Sequence, residues 1–330
     1  MYLSWFQFPD IEEEYDFMMA QKRNCYDSYY PFLVLSKHSL TRLDFGTITI
    51  LYGGNGSGKS TALNVMAEKL NLERDTLYNR SGFFEDYTER CSFGAGGASA
   101  GICEEDARDG ENSPHAAGTF GGKTGRKAVS RAQGTKTLNM PSGSRIITSD
   151  DVFDFMLNLR SLNNGIDRKR DELFEDYLDS KYAHFQMRSL EDYDQLKKVN
   201  MARSNTQSKY VRKNLMDNVR EHSNGESAFR YFTEKITENS LYLLDEPENS
   251  LSPERQQELA QFLEDSARFY HCQFVIATHS PFLLSLWGAK IYDMDEERVS
   301  IKRWSELANV RAYYDFFKKH EKEFEARPED

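Results

Sequence analysis

The chain has 330 residues, 39% of them apolar and 13% aromatic, and a formal net charge of −11. That is enough apolar chain for a sizeable core and argues against wholesale disorder. The acidic balance argues against a surface that coats nucleic acid as a whole, and no apolar run approaches the ~20 residues of a membrane span.

The start, MYLSWFQFPDIEEEYDF, is acidic and aromatic, unlike a signal peptide. PFLVLSK and GTITILY then read as strands, being rich in Val, Ile, Leu, Thr and Tyr. From Ser60 the composition turns helical, STALNVMAEKL. Residues 91–143 hold about half of the glycines and almost no large apolar side chains, so they read as a flexible Gly-rich insertion that builds no core. Deleting about residues 92–140 is therefore expected to leave the fold intact, since loop-closure entropy depends weakly on length.

Arg145–Thr148 reads as a strand, and Val152–Arg220 as charged helix. The last third alternates: LYLLDEP a buried strand, SPERQQELAQFLEDSARFY a helix opened by Ser252-Pro253, CQFVIATHS another buried strand, AKIYDMDEERVSIKRW two strands, then a helix and a charged tail. Such alternation points to an α/β fold, a mostly parallel sheet flanked by helices. The cysteines, Cys25, Cys91, Cys103 and Cys272, are scattered without CxxC spacing, which suggests a reduced, cytoplasmic compartment. Structural zinc on Cys91, Cys103 and His115 is disfavoured by the wide spacing.

ITILYGGNGSGKST is a strand, a glycine loop and a helix start, and Gly53–Ser60 fits GxxxxGK[ST]. Glycines let backbone N–H groups curl round phosphate oxygens, and the helix N-terminus adds its dipole and free donors. Gly53, Asn55, Gly56, Ser57, Gly58, Lys59, Ser60 and Thr61 form the candidate phosphate site for a nucleotide, with Lys59 reaching the β- and γ-phosphates and the Ser60 hydroxyl available to Mg2+. The carboxylate such a site needs at a neighbouring strand end is Asp245, a second metal candidate. Glu246 beside it is placed to deprotonate an attacking water. His279 closes the next strand, where α/β sheets bind ligands. Lys59, Glu246 and His279 are thus the candidate catalytic groups.

In this order, the motifs resemble the ABC-type ATPases, and most nearly the small bacterial AAA-domain "predicted ATPases" related to the ATPase heads of DNA-repair and anti-phage proteins. The resemblance rests on GGNGSGKS, SNGES, LYLLDEPENSLSP and FVIATHSPFLL and spans Gly53 to His279. It implies a P-loop NTPase core with an N-terminal β region (1–52), a helical subdomain with the signature (150–235) and a C-terminal part with Asp245, His279 and the last helix (236–330), all in one ATPase domain, 1–330. It gives a reason for EHSNGES, a polar break between helical stretches. Ser223, Gly225 and Glu226 match the signature, which in the family faces the nucleotide of a second subunit in an ATP-dependent, head-to-tail homodimer. The resemblance further implies a separate effector protein or DNA as partner, in DNA maintenance or defence. Three positions depart from the family: SNGES replaces LSGGQ, Ser252 stands where an aspartate is usual, and no glutamine follows the strand Arg145–Thr148. Asp150, with Asp151 as rival, takes the glutamine's metal-sensing place by position, and Tyr29, Tyr30 or Phe32 is the candidate adenine-stacking ring.

Overall fold

The computed structural model describes residues 1–21, 28–95, 140–184, 186, 192–215 and 224–325. Two sheets organise it. A small antiparallel sheet joins β1 (Leu3–Gln7) to β2 (Arg42–Asp44) on one side and β4 (Ser92–Ala95) on the other. The large sheet contains β3 (Ile48–Tyr52), β5 (Arg145–Thr148), β6 (Leu241–Asp245), β7 (Gln273–Ala277), β8 (Lys290–Asp293) and β9 (Ser300–Lys302). Its order is β5-β6-β7-β3-β8-β9, parallel throughout except for β9 at the edge.

Helices cover both faces, which is why β3 and β7 are buried at every position and read as unbroken apolar runs. On one face α1 (Ile11–Ala20), α2 (Lys59–Lys69) and α3 (Phe84–Arg90) share a core with the small sheet, built on Phe6, Phe32, Leu63, Met66, Phe84 and Val275. On the other face α7 (Asn224–Lys235), α8 (Pro253–Phe269), α9 (Pro281–Leu284) and α10 (Ala308–Lys319) pack round Phe232, Leu244, Leu259, Leu263 and Ile276. The 34-residue α4 (Ser149–Tyr182) leaves the sheet and packs with α5 (Tyr193–Ser204) and α6 (Gln207–Asn214) through Leu173, Tyr177, Ala202 and Tyr210. A short helix, α11 (Glu321–Glu325), follows α10.

The helix starts follow local chemistry. Asp10 and Glu13 close a capping box on α1, Thr148 and Asp151 close one on α4, and Ser252 caps α8 with Pro253 at its first position. Two expectations fail. PFLVLSK is no strand: Leu33 has φ 61° and Ser36–His38 is a short 3-10 turn. The buried Glu14 carboxylate takes the Leu33 N–H at 2.8 Å and the Ser36 hydroxyl at 2.6 Å, so a side chain uses the donor a ladder would need. Ser92–Ala95, assigned to the insertion by composition, is β4, paired with β1. A deletion starting at residue 92 would strip that strand; residues 96–139 lie outside the described residues.

Gln273, fully buried, fastens the two sheets together. Its Oε1 accepts from Tyr2 N at 2.7 Å and Leu3 N at 2.9 Å, while Nε2 donates to Leu3 O at 2.7 Å and Gly46 O at 3.0 Å. Gln273→Leu would keep the volume but leave these backbone groups without that partner. The expected loss is about 3 kcal/mol or more, read as a lower urea midpoint; an unchanged midpoint would show that the amide does not join the sheets.

Candidate functional site

The parallel register sets the site. Leu51 pairs with Ala277, and Ala277 pairs with Asp245, so β3, β7 and β6 end in one row. The loop after β3, the carboxylates after β6 and the histidine after β7 therefore emerge side by side. Two further bonds extend the row, Glu246 N to Ala277 O at 2.9 Å and Thr278 N to Leu51 O at 3.3 Å.

Glycine is required at two loop positions. A Cβ on Gly53 would lie 2.7 Å from Ser57 Oγ. Gly58, at the N-cap of α2, has φ 93°, and a Cβ there would meet Leu35 Cδ2 at 3.0 Å. Asn55 and Gly56 are exposed at the loop tip, while Ser57 is buried, its hydroxyl without a partner among the described residues. The Gly54 N–H donates to the Asp295 carboxylate, which ties the loop to the β8–β9 turn.

Lys59 is almost fully buried. Its Nζ donates to Gly53 O at 2.6 Å and Gly54 O at 3.1 Å and lies 3.0 Å from His279 Nε2. Burial pushes its ammonium below the usual lysine value, against the pull of Glu246 and Asp245. His279 Nε2 is also 3.4 Å from Glu246 Oε1, and Glu246 Oε2 accepts from Asn249 at 2.9 Å. Glu246 has φ 48°, a conformation that costs a non-glycine residue about 1–2 kcal/mol. That kink turns the chain at the end of β6, so that neighbouring acids diverge: Glu246 meets His279, and Asp245 meets α2. Ser60 Oγ donates to Asp245 Oδ1 at 3.1 Å. Burial, with the charge of Glu246 nearby, raises the Asp245 carboxyl to about 6, and a bound cation would draw it back down.

The remaining candidates are spread around this centre. Thr61, buried on α2, lies 3.3 Å from the Tyr30 hydroxyl. Tyr29 stacks on Phe83 with centroids 4.9 Å apart, and Phe32 stacks on Phe17 at 4.5 Å, so two of the three candidate adenine rings are engaged in the core. Asp150 is exposed on the first turn of α4, next to β5, whose Thr148 pairs in register with Asp245. Its rival Asp151 is buried and accepts from Thr148 N and Oγ1 at 2.6 and 2.9 Å, so it is used as a cap. Gly225 and Glu226 lie in the first turn of α7, where a Gly225 Cβ would be 3.7 Å from Ser250 O and Arg255 Cγ. Ser223 lies outside the described residues.

Sequence reasoning missed Glu248, Gln256 and Asn309. Glu248 is buried and takes three hydrogen bonds from Thr278–Ser280. Gln256 accepts from the Ser280 hydroxyl at 2.7 Å, and Asn309 donates to His279 O at 2.9 Å. Only the acid in DEPEN carried a sequence signal, as a second glutamate just past the first.

Among the described residues no group of three or more His, Cys, Asp or Glu could hold a metal alone. Ser60 and Asp245 instead offer a hydroxyl and a carboxylate side by side, the sparse donor set Mg2+ takes when phosphates and water complete its shell. No described helix is long and apolar enough to cross a membrane.

Residues 136–285 match the family model described as "AAA domain, putative AbiEii toxin, Type IV TA system". No curated protein matches the chain. Among solved structures it is similar to a dimeric ATP-binding cassette in a post-hydrolysis state bound to ADP and phosphate, at 14% identity over 81% of this chain and 90% of that chain, TM-score 0.33. It is also similar to the Smc head domain of Pyrococcus furiosus with an extended coiled coil bound to the C-terminal domain of ScpA, at 12% identity over 84% and 95%, TM-score 0.36. The SMC head domain of Thermotoga maritima matches at 11% identity over 79% and 92%, TM-score 0.31. The family match takes in β5, β6, β7 and the helices between them.

Proposed function

We propose that the chain binds MgATP at Gly53–Thr61 and hydrolyses it to ADP and phosphate. The observation that carries the reading is the convergence of three strand ends, with Lys59 3.0 Å from His279 and His279 3.4 Å from Glu246, while Ser60 bonds Asp245 at 3.1 Å on the same row. In this reading Lys59 exchanges the loop carbonyls for β- and γ-phosphate oxygens. The loop amides and the α2 N-terminus take the remaining phosphate charge. Ser60 and Asp245, with Asp150 as a further candidate, hold Mg2+, which supplies charge neutralisation at the phosphates. Glu246 accepts a proton from the water whose oxygen attacks the γ-phosphorus as the bond to ADP breaks. His279 Nε2 leaves Lys59 to donate to the γ-phosphate or orient the water.

We further propose that ATP joins two copies head to tail. Gly225 and Glu226 in the first turn of α7, with Ser223 just before them in the sequence, then supply a second set of donors to the γ-phosphate of the partner. The single-domain organisation with its N-terminal β, helical and C-terminal parts belongs to the same reading.

Four variants test it. Lys59→Ala should weaken ATP binding by about 10–100-fold, since a charge-assisted phosphate contact is lost; wild-type affinity by calorimetry would remove the phosphate-loop assignment. Glu246→Gln should bind MgATP normally and hydrolyse it about 10²–10⁴-fold more slowly, accumulating as a dimer. Asp245→Asn should lose dimer as well as turnover because it weakens the metal site, and a wild-type rate of phosphate release in Glu246→Gln would place the base elsewhere. In Gly225→Arg the first side-chain carbon stays in ordinary contact, 3.7 Å from its nearest neighbours. It should bind ATP as before but fail to dimerise in sedimentation, and an ATP dimer of normal strength would make EHSNGES a mere connector.

A further inference from the structure

We infer that Glu248 is the positioning residue for His279, holding the backbone on which the imidazole meets Lys59 and Glu246. The inference rests on the reading of this site as one that hydrolyses ATP.

The ladder between β6 and β7 ends at Asp245 and Ala277, so the amides of His279 and Ser280 lie beyond the sheet. Both find the same acceptor. Glu248 Oε1 takes His279 N at 2.6 Å, Ser280 N at 3.1 Å and Thr278 Oγ1 at 2.7 Å. Three donors from consecutive residues on one carboxylate oxygen fix the direction in which the middle side chain leaves the backbone. Glu248 is only 8% exposed, and its Oε2 is buried without a partner among the described residues.

Glu248 comes from the same tight turn as Glu246, closed by Asn249 N to Glu246 O at 3.2 Å and Leu251 N to Glu248 O at 2.9 Å. One turn thus sends Glu246 to the His279 ring and Glu248 to its backbone. Gln256 and Asn309 brace the segment from α8 and α10, but each through one bond to it, at Ser280 Oγ and His279 O. Among the described residues, Glu248 alone hydrogen-bonds to all three residues of Thr278–Ser280.

The test compares Glu248→Gln, Glu248→Asp, Glu248→Ala, His279→Ala and the double Ala variant. The amide oxygen of Gln can still accept; Asp is one methylene too short; Ala accepts nothing. Glu248→Ala should keep MgATP affinity within about threefold and lose about 10–100-fold in kcat, the scale set by misplacing a reacting group by about an ångström. Glu248→Gln should recover most of that rate and Glu248→Asp little of it. The double variant should be no slower than His279→Ala alone, because the acid acts through the ring. Losses that multiply, or a wild-type kcat in Glu248→Ala, would overturn the inference. Should Glu248→Ala fail to fold, the ordering of the Gln and Asp variants decides in the same way. NMR of labelled histidine separates the two claims. If the wild-type chain hydrolyses no ATP, the proposed function fails, yet the His279 ring signal must still shift in Glu248→Asp and return towards wild type in Glu248→Gln. An unmoved signal overturns the inference whatever the chain does with ATP.

Discussion

The hydrogen-bond register between β3, β7 and β6 is the constraint on which the site depends. Leu51, Ala277 and Asp245 lie in one row; β6 and β7 deliver their acids and histidine within two residues of it, and the lysine loop opens two residues past it at Gly53. A slip of one residue in any of the three would turn buried faces to the wrong core and carry the lysine loop, the acids or the histidine out of reach. The two cores prevent such a slip. Val275 and Ala277 face one core and Phe274 and Ile276 the other, so β7 has a single acceptable register. The stability of the sheet and the geometry of the site are therefore one requirement.

Local strain and polarity gather at the ends of those strands. Glu246 is held at φ 48°, Lys59 is buried among carbonyls, and the Asp245 carboxyl is raised to about 6. Each is costly alone, and each is offset by a neighbour: the Ala277 carbonyl takes Glu246 N, Gly53 O and Gly54 O take the ammonium, and the Ser60 hydroxyl donates to Asp245. An arrangement that satisfies a cation with carbonyls and parts two adjacent acids suits a site that receives a polyanion and its metal.

The strand ends were legible in the sequence because their signals are local. GxxxxGK[ST], an acid pair after an apolar run and a histidine after another each announce themselves within about ten residues. The alternation of strand and helix likewise gave the parallel sheet. What stayed hidden depends on contacts between distant residues. PFLVLSK has strand composition, but Glu14 captures its donors from another element. Ser92–Ala95 has loop composition, but β1 offers it a free edge. Glu248, Gln256 and Asn309 are ordinary polar residues until the fold brings them to Thr278–Ser280. Asp150 and Asp151 are adjacent, and only the capping box distinguishes the buried one from the exposed one.

The central claim is that these three strand ends form one working site. Mixing the wild-type chain in excess with radiolabelled ATP and following a single turnover tests it most directly. The account predicts complete release of the γ-phosphate with Mg2+ present and none once the divalent ion is chelated. ATP left intact by a folded chain in the presence of Mg2+ would contradict it.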